Sequence, residues 1–188
     1  YPEYWNLTHA DTVTAIHQSY YDAGSNVVST NTFGANSLKF SATELESIIG
    51  AAVANVKRAR AASHNGEEKF IALDIGPTGK LLKPLGELDF TDAVEIFAKT
   101  VRLGVRYGVD LILIETMNDS YETKAAVLAA KENSDLPILV SNAYGEDGKL
   151  MTGATPEAMV AMLEGLGVDA LGTNCSFGPD KLRPVITR

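Results

Sequence analysis

The chain has 188 residues, 45% apolar and 21% charged, enough for one globular domain with its own core. A formal charge of −8 and a pI near 4.9 argue against a nucleic-acid or anionic membrane surface. One cysteine excludes an internal disulfide framework and fits a reducing, cytoplasmic setting, and no apolar run reaches a membrane span, Leu111-Ile-Leu-Ile114 being typical of the longest.

Thr8 and Asp11 announce a first helix, whose apolar face repeats through Ala10, Val13, Ile16, His17 and Tyr20 until Gly24 closes it. Residues 26–30 form a predicted strand, with 31–36 as the loop at its C-terminal end. Ser41-Ala-Thr-Glu44 is a capping box for a long, alanine-rich helix to about residue 63. A strand over 70–74 leads into Gly76-Pro-Thr-Gly79. Thr91 is the expected cap of a helix that turns Val94, Phe97, Val101 and Val105 inward. Next come a strand at 111–114, a helix capped by Asp119 and Glu122, and a strand at 136–140. Thr155-Pro156 starts another helix, and a short buried strand is expected at 168–171.

Strict alternation of this kind means βαβ units and a parallel sheet. Two architectures satisfy it: a complete doubly wound sheet, or five-eighths of a (β/α)8 TIM barrel. No Gly-x-Gly-x-x-Gly turn is present. The chain opens on Tyr1 without an initiator methionine and stops inside a starting helix at Arg188, so both ends read as cuts. These features favour a partial barrel, one domain over 1–188 that is incomplete at both ends.

Polar residues gather where strands end: Asn31 and Thr32, Asp74, Glu115 and Thr116, Ser141 and Asn142, Asn174 and Cys175. Either fold presents its ligands at that rim. The plainer roles are structural. Asn31 and Asn142 can satisfy loop backbone, Asp74 can serve the Gly76–Gly79 turn, and a lone cysteine is most often a small buried hydrophobe. Glu115 directly follows an all-apolar strand and is costly to bury unless it meets a cation, either a structural partner or a substrate. Gly76-Pro-Thr-Gly79 can also form a nest of N–H groups for an anion. His9, His17 and His64 fall in the outer helical layer, badly placed to join Cys175 in a metal site.

Ser29-Thr-Asn-Thr-Phe-Gly-Ala-Asn36, Asp74-Ile-Gly-Pro-Thr-Gly79, Ile114-Glu-Thr-Met117 and above all Gly172-Thr-Asn-Cys175 resemble the homocysteine S-methyltransferase family. The resemblance spans essentially all residues and is closest to the cobalamin-dependent methionine synthase branch. It implies a (β/α)8 barrel, of which this chain would hold about strands two to six, binding zinc through three cysteines. Cys175 would be the first of those metal ligands, Glu115 would receive the α-ammonium group of homocysteine, and Asn174, Asn31 and Thr32 would shape the substrate pocket. The family's other two ligands form a Gly-Gly-Cys-Cys motif and its first strand carries an Asp-Gly segment. Neither is found here, so a complete zinc site is not expected within these residues.

The implied chemistry is physically sound. A free thiol is only about 3% thiolate at neutral pH, and a thiol bound to zinc is deprotonated outright. The implied reaction transfers a methyl group to homocysteine, giving methionine. In the cobalamin branch the donor is methylcobalamin, presented by a separate domain of a parent chain that also carries a folate domain. The alternatives are a stand-alone enzyme using S-methylmethionine or betaine, or a non-catalytic fragment or binding domain. By itself the 188-residue chain is expected to bind zinc weakly and to turn over little homocysteine.

Overall fold

The computed structural model describes residues 1–187. A 3-10 turn at Pro2–Tyr4 precedes α1 (Trp5–Thr8) and α2 (Ala10–Asp22). Then come β1 (Val27–Ser29), α3 (Ala42–Ala62), β2 (Phe70–Ile75), α4 (Phe90–Tyr107), β3 (Leu111–Met117) and α5 (Ser120–Asn133). β4 (Ile138–Asn142), α6 (Pro156–Gly165), β5 (Ala170–Thr173) and α7 (Pro179–Ile186) complete the order. Among the described residues no helix is long and apolar enough to cross a membrane.

All strand pairs are parallel, and their spatial order is their sequence order, β1-β2-β3-β4-β5. A doubly wound sheet must reverse its order at a switch point. This one never does, so successive right-handed crossovers keep the helices on one side and the sheet is an arc of a (β/α)8 barrel. Strand alternation separates two faces. Ile71, Leu73, Ile75, Ile112, Ile114, Ile138 and Val140 are buried in one core cluster with α3, α4 and α5. By register, Asp74, Leu113 and Leu139 share the opposite, concave face.

Local sequence explains most boundaries. Ser41 and Glu44 form the full reciprocal capping box, and Asp119 and Thr155 accept from Glu122 and Ala158 N–H. Gly108, left-handed at φ 79°, ends α4 where a side chain would be strained. Gly104 carries no Cβ because Leu73 of β2 packs against its backbone there.

Three boundaries differ from expectation. Thr8 ends α1 and donates back to the Tyr4 carbonyl, leaving His9 before α2 without a side-chain cap. Thr91 lies inside α4, which starts after Asp89. The last strand is Ala170–Thr173 and is not buried, since it pairs on one side only and Leu171 stands 41% exposed. The apolar run at 168–171 foretold a strand but not its position at the edge of the sheet.

Candidate functional site

The strand ends place two polar groups side by side on the rim. The first is built around Cys175. Asn174 and Ser176 close a three-residue turn, Ser176 N–H to Asn174 carbonyl at 2.8 Å, with Cys175 at its tip and a φ of 60°. The thiol is exposed. Across from it β3 carries one extra residue relative to β4, between Ile114 and Met117, a bulge in which Thr116 also takes φ 60°. The bulge aims Thr116 Oγ1 at Cys175 Sγ, 3.7 Å away. Asn174 Nδ2 donates to Thr116 Oγ1 at 2.8 Å and to Sγ at 3.4 Å, while Ser141 Oγ donates to Asn174 Oδ1 at 2.9 Å. Three strands thus converge on one sulfur, and both polar groups beside it donate to it. That arrangement is complementary to a thiolate.

The second group is a pair of carboxyls. Asp74 lies one residue before the end of β2 and Glu115 near the end of β3, and their side chains are within hydrogen-bonding reach of each other. Asp74 is 6% exposed and its Oδ1 has no partner. Burial, then the charge of Glu115, push its pKa up to about 8; burial also raises Glu115. No ion pair among the described residues reaches either one. Among the described residues the expected cation for Glu115 is therefore not found, and the neighbour it meets is another acid.

Asn31 and Thr32 sit beside this pair, with both side chains engaged. Asn31 Nδ2 donates to the Pro2 carbonyl at 2.9 Å and to Asn6 Oδ1 at 3.3 Å, tying the N-terminal turn to the loop after β1. Thr32 is fully buried and donates to the Asp74 carbonyl at 2.8 Å, while Thr30 Oγ1 accepts from Asp74 N–H. Thr30 and Thr32 thus hold the Asp74 backbone in place. Phe33 lies over Gly76, whose absent Cβ would meet the ring at 2.5 Å. Asn142 is spent on the Met117 carbonyl and Thr123.

Two roles fall differently from expectation. Asp74 does not serve the Gly76–Gly79 turn; Glu122 of α5 does, its buried carboxylate accepting Thr78 N–H at 2.8 Å and the Thr78 hydroxyl as well. The same bond corrects the anion-nest reading, because the chain's own carboxylate occupies that loop. The signal for Asp74 was present: consecutive barrel strands are neighbours, so carboxylates near the ends of β2 and β3 had to meet. Glu3, buried and accepting Gly34 N–H at 2.7 Å, had no comparable signal.

Of the three histidines, His9 is exposed and stacks on Trp5, His64 is exposed, and His17 is buried with Nε2 unpartnered. Among the described residues no three His, Cys, Asp or Glu side chains cluster as a metal site. Cys175 suits one corner of a zinc site in its chemistry and exposure; the other donors do not come from the described residues.

The chain is 28% identical over 191 residues to methionine synthase from Mycobacterium leprae and 28% over 194 residues to that of Mycobacterium tuberculosis. Each alignment covers 96% of this chain but 16% of the relative, so the chain spans about a sixth of the length of these proteins. The homocysteine methyltransferase MmuM of Escherichia coli shares the fold. Its apo form superposes with a TM-score of 0.78 at 19% identity, covering 96% of this chain and 67% of that one. Its metallated form gives 0.79 at 20%, covering 91% and 65%. The model of the homocysteine S-methyltransferase family matches residues 1–188 from end to end, and the chain belongs to that family.

Proposed function

We propose that this chain is the homocysteine-binding part of a zinc-dependent methyltransferase that converts homocysteine to methionine. The methyl donor in this reading is methylcobalamin, carried with a folate domain elsewhere in a cytoplasmic parent of the methionine synthase type. The observation that carries the reading is the rim itself: an exposed Cys175 thiol held by Thr116 and Asn174, with the Asp74–Glu115 carboxyls at the ends of the adjoining strands.

Zinc, when bound, supplies a positive centre that turns a coordinated thiol into a thiolate at neutral pH. Within this chain Cys175 would be one of its ligands. Asn174 and Thr116 fix the direction of Sγ, and Ser141 fixes Asn174 in turn. Glu115 accepts from the α-ammonium group of homocysteine and so sets where its thiol arrives. Thr32 contributes by holding the Asp74 carbonyl, and Asn31 by tying the N-terminal turn to the loop beside it. Orienting the thiol toward an in-line methyl group accounts for a large part of the rate such a site can provide.

The test uses the intact protein. Cys175→Ala should lower bound zinc and abolish methyl transfer while circular dichroism stays unchanged; full zinc retention would overturn the ligand assignment. Glu115→Gln should weaken homocysteine binding by about 1–3 kcal/mol, the worth of a charge-assisted hydrogen bond. Assaying methylcobalamin against S-methylmethionine and betaine identifies the donor, and turnover with either of the latter alone would assign the chain to a different branch.

A further inference from the structure

We infer, on the reading of Cys175 as a zinc ligand, that Thr116 and Asn174 decide which of two sulfurs takes the methyl group. Their hydrogen bonds damp the nucleophilicity of the Cys175 thiolate, so that the substrate's thiolate attacks and the ligand's does not. The two donors thus act on the electrons of the sulfur as well as on its direction.

Two thiolates then meet the same methyl group. One belongs to Cys175, which is exposed, and the other to the substrate. Methylation of Cys175 would turn a charged ligand into a neutral thioether, and the thiolate is what binds the metal. Selectivity has to come from what surrounds each sulfur, and around Sγ the side chains form a closed polar ring. Thr116 N–H donates to Ser141 Oγ at 3.3 Å, Ser141 Oγ to Asn174 Oδ1 at 2.9 Å, and Asn174 Nδ2 to Thr116 Oγ1 at 2.8 Å. Each bond fixes the direction of the next. Ser141 accepts from Thr116 and turns its own proton to the Asn174 oxygen, which sets the amide with its NH2 toward Thr116. The Thr116 oxygen accepts from that amide, so its proton is left for Sγ, 3.7 Å away, and Asn174 Nδ2 also reaches Sγ at 3.4 Å. Every side-chain donor of the ring is committed, two of them to the cysteine sulfur, and none remains for a second sulfur beside it.

Donors aimed at a thiolate stabilise its charge before reaction, and that charge is withdrawn as the sulfur bonds to carbon. An interaction stronger in the ground state than in the transition state slows the step, and a less basic thiolate is the poorer nucleophile. The backbone shows that the arrangement is imposed. Thr116 is β-branched and still held at φ 60°, as Cys175 is, and such conformations persist where the surroundings over-determine them.

The test is alkylation of the zinc-loaded intact protein by methyl iodide, read by mass spectrometry of the Cys175 peptide together with a zinc assay. The step is one displacement: a lone pair on Sγ forms the sulfur–methyl bond while the carbon–iodine bond breaks, and iodide leaves with the pair from that bond. Thr116→Ala should let Cys175 be methylated about 5-fold faster than in wild type, with zinc still bound, and Asn174→Ala should do the same. Thr116→Ser keeps the hydroxyl and should stay within about 2-fold of wild type. One alanine variant that keeps its zinc is enough to decide. Equal rates in wild type and that variant overturn the inference, and so does a serine variant as fast as the alanine one, since bulk rather than the hydroxyl proton would then be at work. Zinc lost from both alanine variants overturns it as well, because the ring would hold the metal and not screen the sulfur. A wild type that binds no zinc is a different failure, and overturns the ligand reading itself.

Discussion

Asp74 and His17 titrate with opposite consequences for stability, though burial is the leading cause for both. The folded pKa of Asp74 is raised from 3.8 to about 8, so the folded state holds a proton that the unfolded state has already released. Stability contributed at this position is complete below about pH 4 and is lost as the pH climbs toward 8. Asp74→Asn should therefore stabilise the chain more at pH 8 than at pH 5 in urea titrations, and a pH-independent difference between the two proteins would refute the buried proton. His17 is lowered from 6.5 by burial, so the unfolded state takes up a proton first and stability falls as the pH drops below that value. His17→Leu should flatten the acid limb of the same titration. These two residues also show how far single positions can be read. Glu115 stood out because it follows an apolar strand, and Cys175 because it sits at a strand end. For Asp74 the turn-serving alternative falls away, since Glu122, many residues away and invisible from its own neighbourhood, already serves the glycine turn.

At the level of elements, one device recurs. Asp110, just before β3, accepts the N–H of Ile71 on β2 at 2.8 Å; Asp169, just before β5, accepts the N–H of Ile138 on β4 at 2.8 Å. Each carboxylate pins the start of one strand to the start of its predecessor, and Arg60 of α3 adds an ion pair to Asp110 at 2.9 Å. Asp110→Ala should cost about 1–3 kcal/mol by denaturant unfolding, through the orphaned Ile71 amide more than the half-exposed ion pair. Capping boxes were legible because both partners lie three residues apart in sequence. Thr8 and Thr91 misled because a hydroxyl before a helical pattern is equally content to bond backwards within one, as Thr8 does. The strand-to-strand aspartates carried no local signature, since their partners are set by register.

For the molecule as a whole, alternation of helix and strand was plain in the sequence, but two folds shared it. Spatial order alone separated them, and spatial order is a long-range property. The resulting arc leaves β1 and β5 each with an unpaired edge. Near the first, Trp5, Ile16, Tyr20 and Val27 are 45–59% exposed, and near the second Leu171 is 41% exposed. Parallel sheets are stable when both faces and both edges are covered. The 188-residue chain studied alone should accordingly self-associate with rising concentration in sedimentation velocity. A Val27→Lys substitution at the β1 edge should reduce that tendency. A sharp monomer peak at every concentration would mean that the edges are protected in solution.

Among the described residues the two left-handed ones that are not glycine, Thr116 and Cys175, touch each other. Backbone in that region costs a residue with a side chain about 1–2 kcal/mol. A laboratory lineage selected only for heat tolerance should therefore accept glycine at 116 early, since relief there requires no repacking. The thermometer would record a gain, while the hydroxyl that steers the sulfur would be gone.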